Sequence, residues 1–195
     1  MISKLSSQIT KYLLKKNVIS DEEKELYEYG LFMIISYVVF FLISILFGIV
    51  LDISFSSILF YISFCLVRNF AGGIHANSEI KCNIITTVSI LISEILIKIF
   101  IDYSLVSLAF VMLMISSICL CVIKPIATSQ KEISQQEKLN YHKKVIVLVV
   151  LILIISLISI VFRCYSITIS LSLSLSLANV LLVMGKVQQI YHQCI

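Results

Sequence analysis

Apolar and polar positions along this chain alternate on the scale of whole segments. Apolar runs cover about 29–51, 53–67, 82–101, 103–123, 145–162 and 166–184, with short polar breaks between them. Crossing about 30 Å of hydrocarbon takes roughly 17–25 helical residues, so most of these runs are long enough to span a bilayer. The run 53–67 is short, and it reaches the interface if Arg68 snorkels and Asn69-Phe70 stay helical. Residues 1–28 follow a different pattern. Leu5, Ile9, Leu13 and Leu14 recur at helical spacing among Lys4, Lys11, Lys15 and Lys16, the pattern of a basic amphipathic helix lying on an anionic membrane surface. Ser20-Asp21-Glu22-Glu23 reads as a capping box, with the Ser20 hydroxyl and the Glu23 carboxylate each serving the other's amide. The expected organisation is an N-terminal pair of cytoplasmic-face helices over 1–28 and a multispanning body over 29–195.

Two of the runs carry irregularities. Ser166 to Leu177 alternates between hydroxyl and apolar side chains, which is the period of a strand. A lone strand in lipid would leave its backbone groups unpaired, so the segment is read as a helix. Ser170 with Ser174, and Ser172 with Ser176, then form two small-residue ridges. Such ridges suit either a homodimer or packing within one chain. In the third run, Glu94 and Lys98 stand four apart in the favourable acid-first order, which predicts mutual neutralisation near the far interface.

Composition turns the segment pattern into a class. The chain is 59% hydrophobic and 13% charged, against about 45–50% and about 25% for a soluble domain. A soluble core of this length could not hide that much apolar surface, so the bilayer is its solvent. The fold class predicted is an all-α integral membrane protein of about six transmembrane helices with an N-terminal amphipathic segment. The net charge of +4 is dispersed over ends and loops, which argues against nucleic acid as a partner. The six cysteines have no disulfide-framework spacing and sit mostly in apolar runs, where cysteine acts as a small hydrophobe. The charged, amphipathic N-terminus has none of the features of a cleavable signal peptide.

Lysine and arginine then set the orientation. With six crossings and the N-terminus inside, thirteen of the fifteen basic residues face the cytoplasm, and only Lys98 and Arg163 lie outside. The positive-inside rule favours this arrangement. A re-entrant second run would instead put the five lysines of 124–144 outside. Both termini and the polar interruption between runs two and three are therefore expected at the cytoplasmic face of the cell membrane.

That interruption, Arg68 to Cys82, carries the candidate chemistry. His75 and Cys82 are seven residues apart, which on one straight helix separates their α-carbons by about 10.5 Å of rise. A nucleophile and its base need about 2.6–3.2 Å, so the chain must bend if the two act together. Gly72-Gly73 breaks a helix before His75, and Asn77 or Ser78 would cap a new one. Cys82 then falls near a helix N-terminus beside Lys81, a setting that favours thiolate over thiol. Residue types alone leave three readings open: a catalytic Cys–His pair, two incidental interfacial residues, or a metal site with Cys65. The last lacks a fourth ligand at zinc-like spacing.

The spacing Arg-x3-Gly-Gly-x-His-x6-Cys, here Arg68, Gly72, Gly73, His75 and Cys82, resembles the signature of the accessory gene regulator B (AgrB) family of quorum-sensing membrane endopeptidases. The polar N-terminal segment, the multispanning body and the loop with Lys124-Pro125 extend the resemblance over most of the chain. It implies a cysteine protease acting on an AgrD-like propeptide, with Cys82 as nucleophile and His75 as base and then acid. Release of the propeptide's tail would leave an acyl-enzyme thioester, which a propeptide cysteine resolves into a thiolactone ring. Because one thioester is exchanged for another, the reaction can run without ATP if water is kept out, and no cofactor or metal is expected. Gly72 and Gly73 would shape the bend, and Arg68 would meet lipid phosphate or a propeptide carboxylate. Asn69, Asn77 and Glu79 are candidates to orient His75. The competing class is a non-enzymatic peptide exporter or binding partner, whose function would survive loss of Cys82 and fail on changes at Glu94 or Lys98.

Overall fold

A computed structural model describes residues 2–72, 79–123 and 135–193. These residues form seven helices: α1 (Ile2–Lys15), α2 (Lys24–Val50), α3 (Ser54–Ala71), α4 (Glu79–Asp102), α5 (Val106–Val122), α6 (Gln135–Val161) and α7 (Tyr165–Gln193). There is no strand among the described residues. Five of the helices, α2, α3, α4, α6 and α7, are long and apolar enough to cross a membrane. At 17 residues α5 is the shortest apolar helix, and its rise of about 25 Å is at the lower limit for a crossing. The chain is an all-α integral membrane protein with an additional N-terminal helix.

Contacts group the chain into two compact units, residues 1–43 and 44–195, and α2 runs from the first into the second. In the first unit α1 carries Lys15 in its last turn, where a cation complements the exposed carbonyls. Asn17 takes a left-handed φ of 53°, and Val18 N–H returns to the Leu13 carbonyl at 3.1 Å to close the helix. The capping box forms by half. The Ser20 amide donates to Glu23 Oε2 at 3.0 Å, but the Ser20 hydroxyl donates to that same oxygen at 2.9 Å. A hydroxyl spent on the carboxylate does not serve the Glu23 amide, which bonds the Ser20 carbonyl at 3.2 Å. The reason is register. Helix α2 begins at Lys24, so Ser20 lies a turn upstream of the position a cap must occupy.

In the second unit, three helix pairs meet through tight turns built alike. Asp52, Ser104 and Arg163 each adopt a left-handed φ, of 57°, 53° and 59°. The following amide in each case reaches five residues back: Ile53 to Gly48 at 2.8 Å, Leu105 to Phe100 at 2.9 Å and Cys164 to Ser159 at 2.8 Å. This is the Schellman closure, which satisfies the last carbonyls of a helix before the chain reverses. It joins α2 to α3, α4 to α5 and α6 to α7 at one end of the bundle.

Helix α7 is the centre of the unit, packing on α3, α4, α5 and α6. Its serine-leucine alternation is helical, as lipid requires. Leu171, Leu175, Ala178 and Leu182 enter a buried cluster with Phe64, Val67, Leu113 and Val149. The ridge of Ser172 and Ser176 turns to α5: Ser172 Oγ donates to the Ala109 carbonyl at 2.6 Å, and Ser176 Oγ meets Ser116 Oγ at 3.0 Å. Small side chains bring the two backbones close enough for a direct side-chain-to-backbone bond. Thr168 Oγ1 makes a comparable contact with Ser159 Oγ on α6, at 2.6 Å.

Two expectations are corrected. The fifth apolar run was expected to start a helix near 145, with polar loop before it. Helix α6 instead begins at Gln135, so a polar stretch of good helix formers continues the span outward. Glu94 and Lys98 do not pair. Lys98 Nζ reaches Asp102 Oδ1 at 3.1 Å, with both side chains partly exposed, while Glu94, one turn earlier, is fully buried. Lys98 keeps its ammonium toward water by turning to the helix end.

Candidate functional site

The segment Arg68–Cys82 is built from the end of α3 and the start of α4. The α3 backbone is helical through Ala71 and stops at Gly72, whose φ of 79° is left-handed and whose N–H bonds the Arg68 carbonyl at 2.9 Å. An L side chain is strained in that conformation, so the first glycine of the pair is where the chain turns out of the helix. Helix α4 then begins at Glu79, three residues before Cys82. Gly73, His75, Asn77 and Ser78 lie outside the described residues, and the His75–Cys82 geometry lies there with them.

Cys82 is a free thiol in the first turn of α4, partly exposed, with the exposed Lys81 beside it. Arg68 lies in the last turn of α3, and its guanidinium stacks over the Phe64 ring at 5.6 Å from the centroid. This leaves the planar edge of the guanidinium with donors for a carboxylate or phosphate. Asn69, on the same turn, is exposed.

Neighbouring α6 contributes what no spacing in the sequence marks. Phe70 and Tyr141 rings meet at 6.1 Å and 42°, and Lys144 Nζ sits over both, 5.1 Å from Phe70 and 5.7 Å from Tyr141. This cation–π stack ties the last turn of α3 to the early turns of α6, and so fixes the helix end from which the Arg68–Gly72 segment departs. Tyr141 and Lys144 fall in the stretch expected to be loop, which hid their helical register. In the same turns His142 buries an Nδ1 that has no hydrogen-bond partner. Among the described residues, no three His, Cys, Asp or Glu side chains converge as a metal site.

A family model described as accessory gene regulator B matches residues 6–184. No curated protein and no solved structure matches.

Proposed function

The chain belongs to the accessory gene regulator B family of quorum-sensing membrane proteins, and from that membership we propose that it is a cysteine endopeptidase and cyclase for an AgrD-like propeptide. Cys82 thiolate adds to the carbonyl before the propeptide's C-terminal tail. The carbon–nitrogen bond breaks as His75, having taken the thiol proton, returns it to the leaving amine. The body of the propeptide remains as a thioester on Cys82. A cysteine thiolate of the propeptide then attacks that carbonyl, expels Cys82 and closes a thiolactone. One thioester replaces another, so neither oxidant nor nucleotide is consumed, and the demand on the protein is to keep water from the acyl-enzyme.

The observation that carries this reading is the position of Cys82 in the first turn of a new helix, after α3 has been ended by Gly72. A turn out of α3 is what such a pair requires, since seven residues of straight helix would hold the two α-carbons about 10.5 Å apart. Arg68, with its guanidinium held over Phe64, would receive the acidic tail or a lipid phosphate. The basic residues of this end of the chain would draw an acidic tail toward it, and an amphipathic propeptide leader bound to the same bilayer would raise its local concentration.

The test uses the full chain in proteoliposomes with a synthetic propeptide carrying an amphipathic leader, an internal cysteine and an acidic tail. Mass spectrometry should find the released tail and a ring lighter by one water than the linear fragment. Cys82→Ala and His75→Ala should each lower tail release at least about a thousand-fold while still inserting. Replacing the propeptide cysteine by alanine should trap a covalent adduct on Cys82. Tail release by Cys82→Ala at the unaltered rate would sink the mechanism.

A further inference from the structure

Away from the Arg68–Cys82 segment, the second unit buries a carboxylate that this chemistry does not use. Glu94 lies on α4, eight residues before its end at Asp102, about 12 Å of rise into the span. Its side chain is fully buried. Oε1 meets Ser44 Oγ of α2 at 2.5 Å, and Oε2 has no hydrogen-bond partner. Ser44 Oγ also faces the Ser57 carbonyl of α3 at 3.5 Å. Ser57 Oγ is buried and unpartnered too, and it points at the α2 face one turn beyond Ser44, where a Cβ on Gly48 would lie 2.4 Å from it.

The protons do not balance. Ser44 has one hydroxyl hydrogen and two acceptors against it, the Glu94 carboxylate and the Ser57 carbonyl. Charge does not balance either. The part of α2 in this unit, α3 up to Val67, all of α5 and α7 up to Gly185 carry no charged residue. On α4 itself, the neighbouring Lys98 is bonded to Asp102. A bare carboxylate inside hydrocarbon is costly and is kept where it meets an ion, a proton or a partner charge. Among the described residues, these helices supply no partner charge. We propose that Glu94, Ser44 and Ser57 form an intramembrane site for one small monovalent cation, a proton or a sodium ion, bound between α2, α3 and α4. Hard oxygen donors suit such a cation. A single negative charge matches +1, whereas a divalent ion would leave the site charged. A proton carried on Oε1 donates to Ser44 Oγ, or a sodium ion takes lone pairs of the carboxylate and of Ser44 Oγ; in either case the Ser44 hydrogen is released to the Ser57 carbonyl.

Thermal unfolding of the full chain in nanodiscs tests the proposal, at rising pH, in sodium chloride and in choline chloride of equal ionic strength. Glu94→Gln is run beside it, since the carboxamide keeps the size of the acid and carries no charge. The unaltered chain should lose at least about 3 °C of Tm as pH rises in choline chloride, and Glu94→Gln should not. Recovery of that loss by sodium chloride identifies sodium as the ligand, and an equal loss in both salts identifies the proton. A pH and salt response identical to that of Glu94→Gln would mean a water fills the gap, and would overturn the site. If Glu94→Gln does not accumulate, an apolar carbodiimide, which adds to protonated carboxyls in apolar surroundings, carries the test. It should label Glu94 of the native chain, less at high pH, and less with sodium if sodium is the ligand. Failure to label Glu94 at any pH in either salt, with the unfolded chain labelled there, would equally overturn it.

Discussion

At the scale of single residues, two glycines of α2 separate close packing from open space. Gly48 lies where an added Cβ would meet Ser57 Oγ at 2.4 Å, Ser57 Cβ at 2.7 Å and Ser54 Cα at 3.2 Å. The last of these is backbone and cannot swing aside. Gly48→Ala should therefore separate the start of α3 from the end of α2 and cost about 1–3 kcal/mol, read as a lowered Tm. Ser57→Gly in the same chain removes the first two contacts and leaves the third, so it should restore part of the loss. Gly30 has nothing within 4 Å of an added Cβ, and Gly30→Ala should leave stability unchanged or raise it by up to about 1 kcal/mol. Equal effects at both positions would contradict the packing described for Gly48. Both glycines are legible in the sequence only as glycines in an apolar run, because close approach is set by a partner helix that periodicity does not name. Glu94 shows the same limit. Spacing along α4 offered Lys98 as its partner, and burial against Ser44 of α2 decided otherwise.

At the scale of elements, local signals were reliable where the solvent enforces them. Ser166–Leu177 alternates like a strand yet folds as helix, because hydrocarbon leaves no other pairing for its backbone. The break after α3 was legible because Gly72 can take the left-handed conformation found there. The start of α6 was not, because Gln135–Lys144 is polar and only its helix propensity, not hydropathy, marks it. The Ser20–Glu23 turn before α2 was legible as a pair but not in register. That turn should respond to acid. Hydrogen bonds from the Ser20 amide and then from its hydroxyl hold the fully exposed Glu23 carboxyl below its ordinary value of 4.5. A lowered value in the folded chain means the turn is favoured above the ordinary carboxylate range and weakens as pH falls through the lowered value. The Ser20 amide proton should therefore keep its hydrogen-bonded chemical shift at neutral pH and lose it below about 4.5. Glu23→Gln should abolish that titration. A Ser20 shift that does not change with acid would show the contact to be absent in solution.

For the molecule as a whole, the two ends of the bundle differ in kind. Asp52, Ser104 and Arg163 close tight turns at one end. The other end carries Arg68, Lys81, Lys144 and Lys186 together with Cys82. The described end of α3 is braced there by Lys144 over Phe70. Basic residues resist translocation, so the Cys82 end should face the cytoplasm, where a freshly made propeptide resides. Cysteine provides the measurement, since Cys164 is exposed in the α6–α7 turn while Cys82 is partly exposed at the opposite end. In single-cysteine chains, a membrane-impermeant maleimide added to intact cells should label Cys164 at once and Cys82 only after permeabilisation. The reverse pattern would put the candidate nucleophile outside, and the propeptide would then have to be exported before it was cut. The reverse pattern is also what a chain whose α3 dips into the bilayer and returns would give, and labelling of both in intact cells would mean that one of α4, α5 and α6 does not cross, undoing the count of crossings on which the orientation rests.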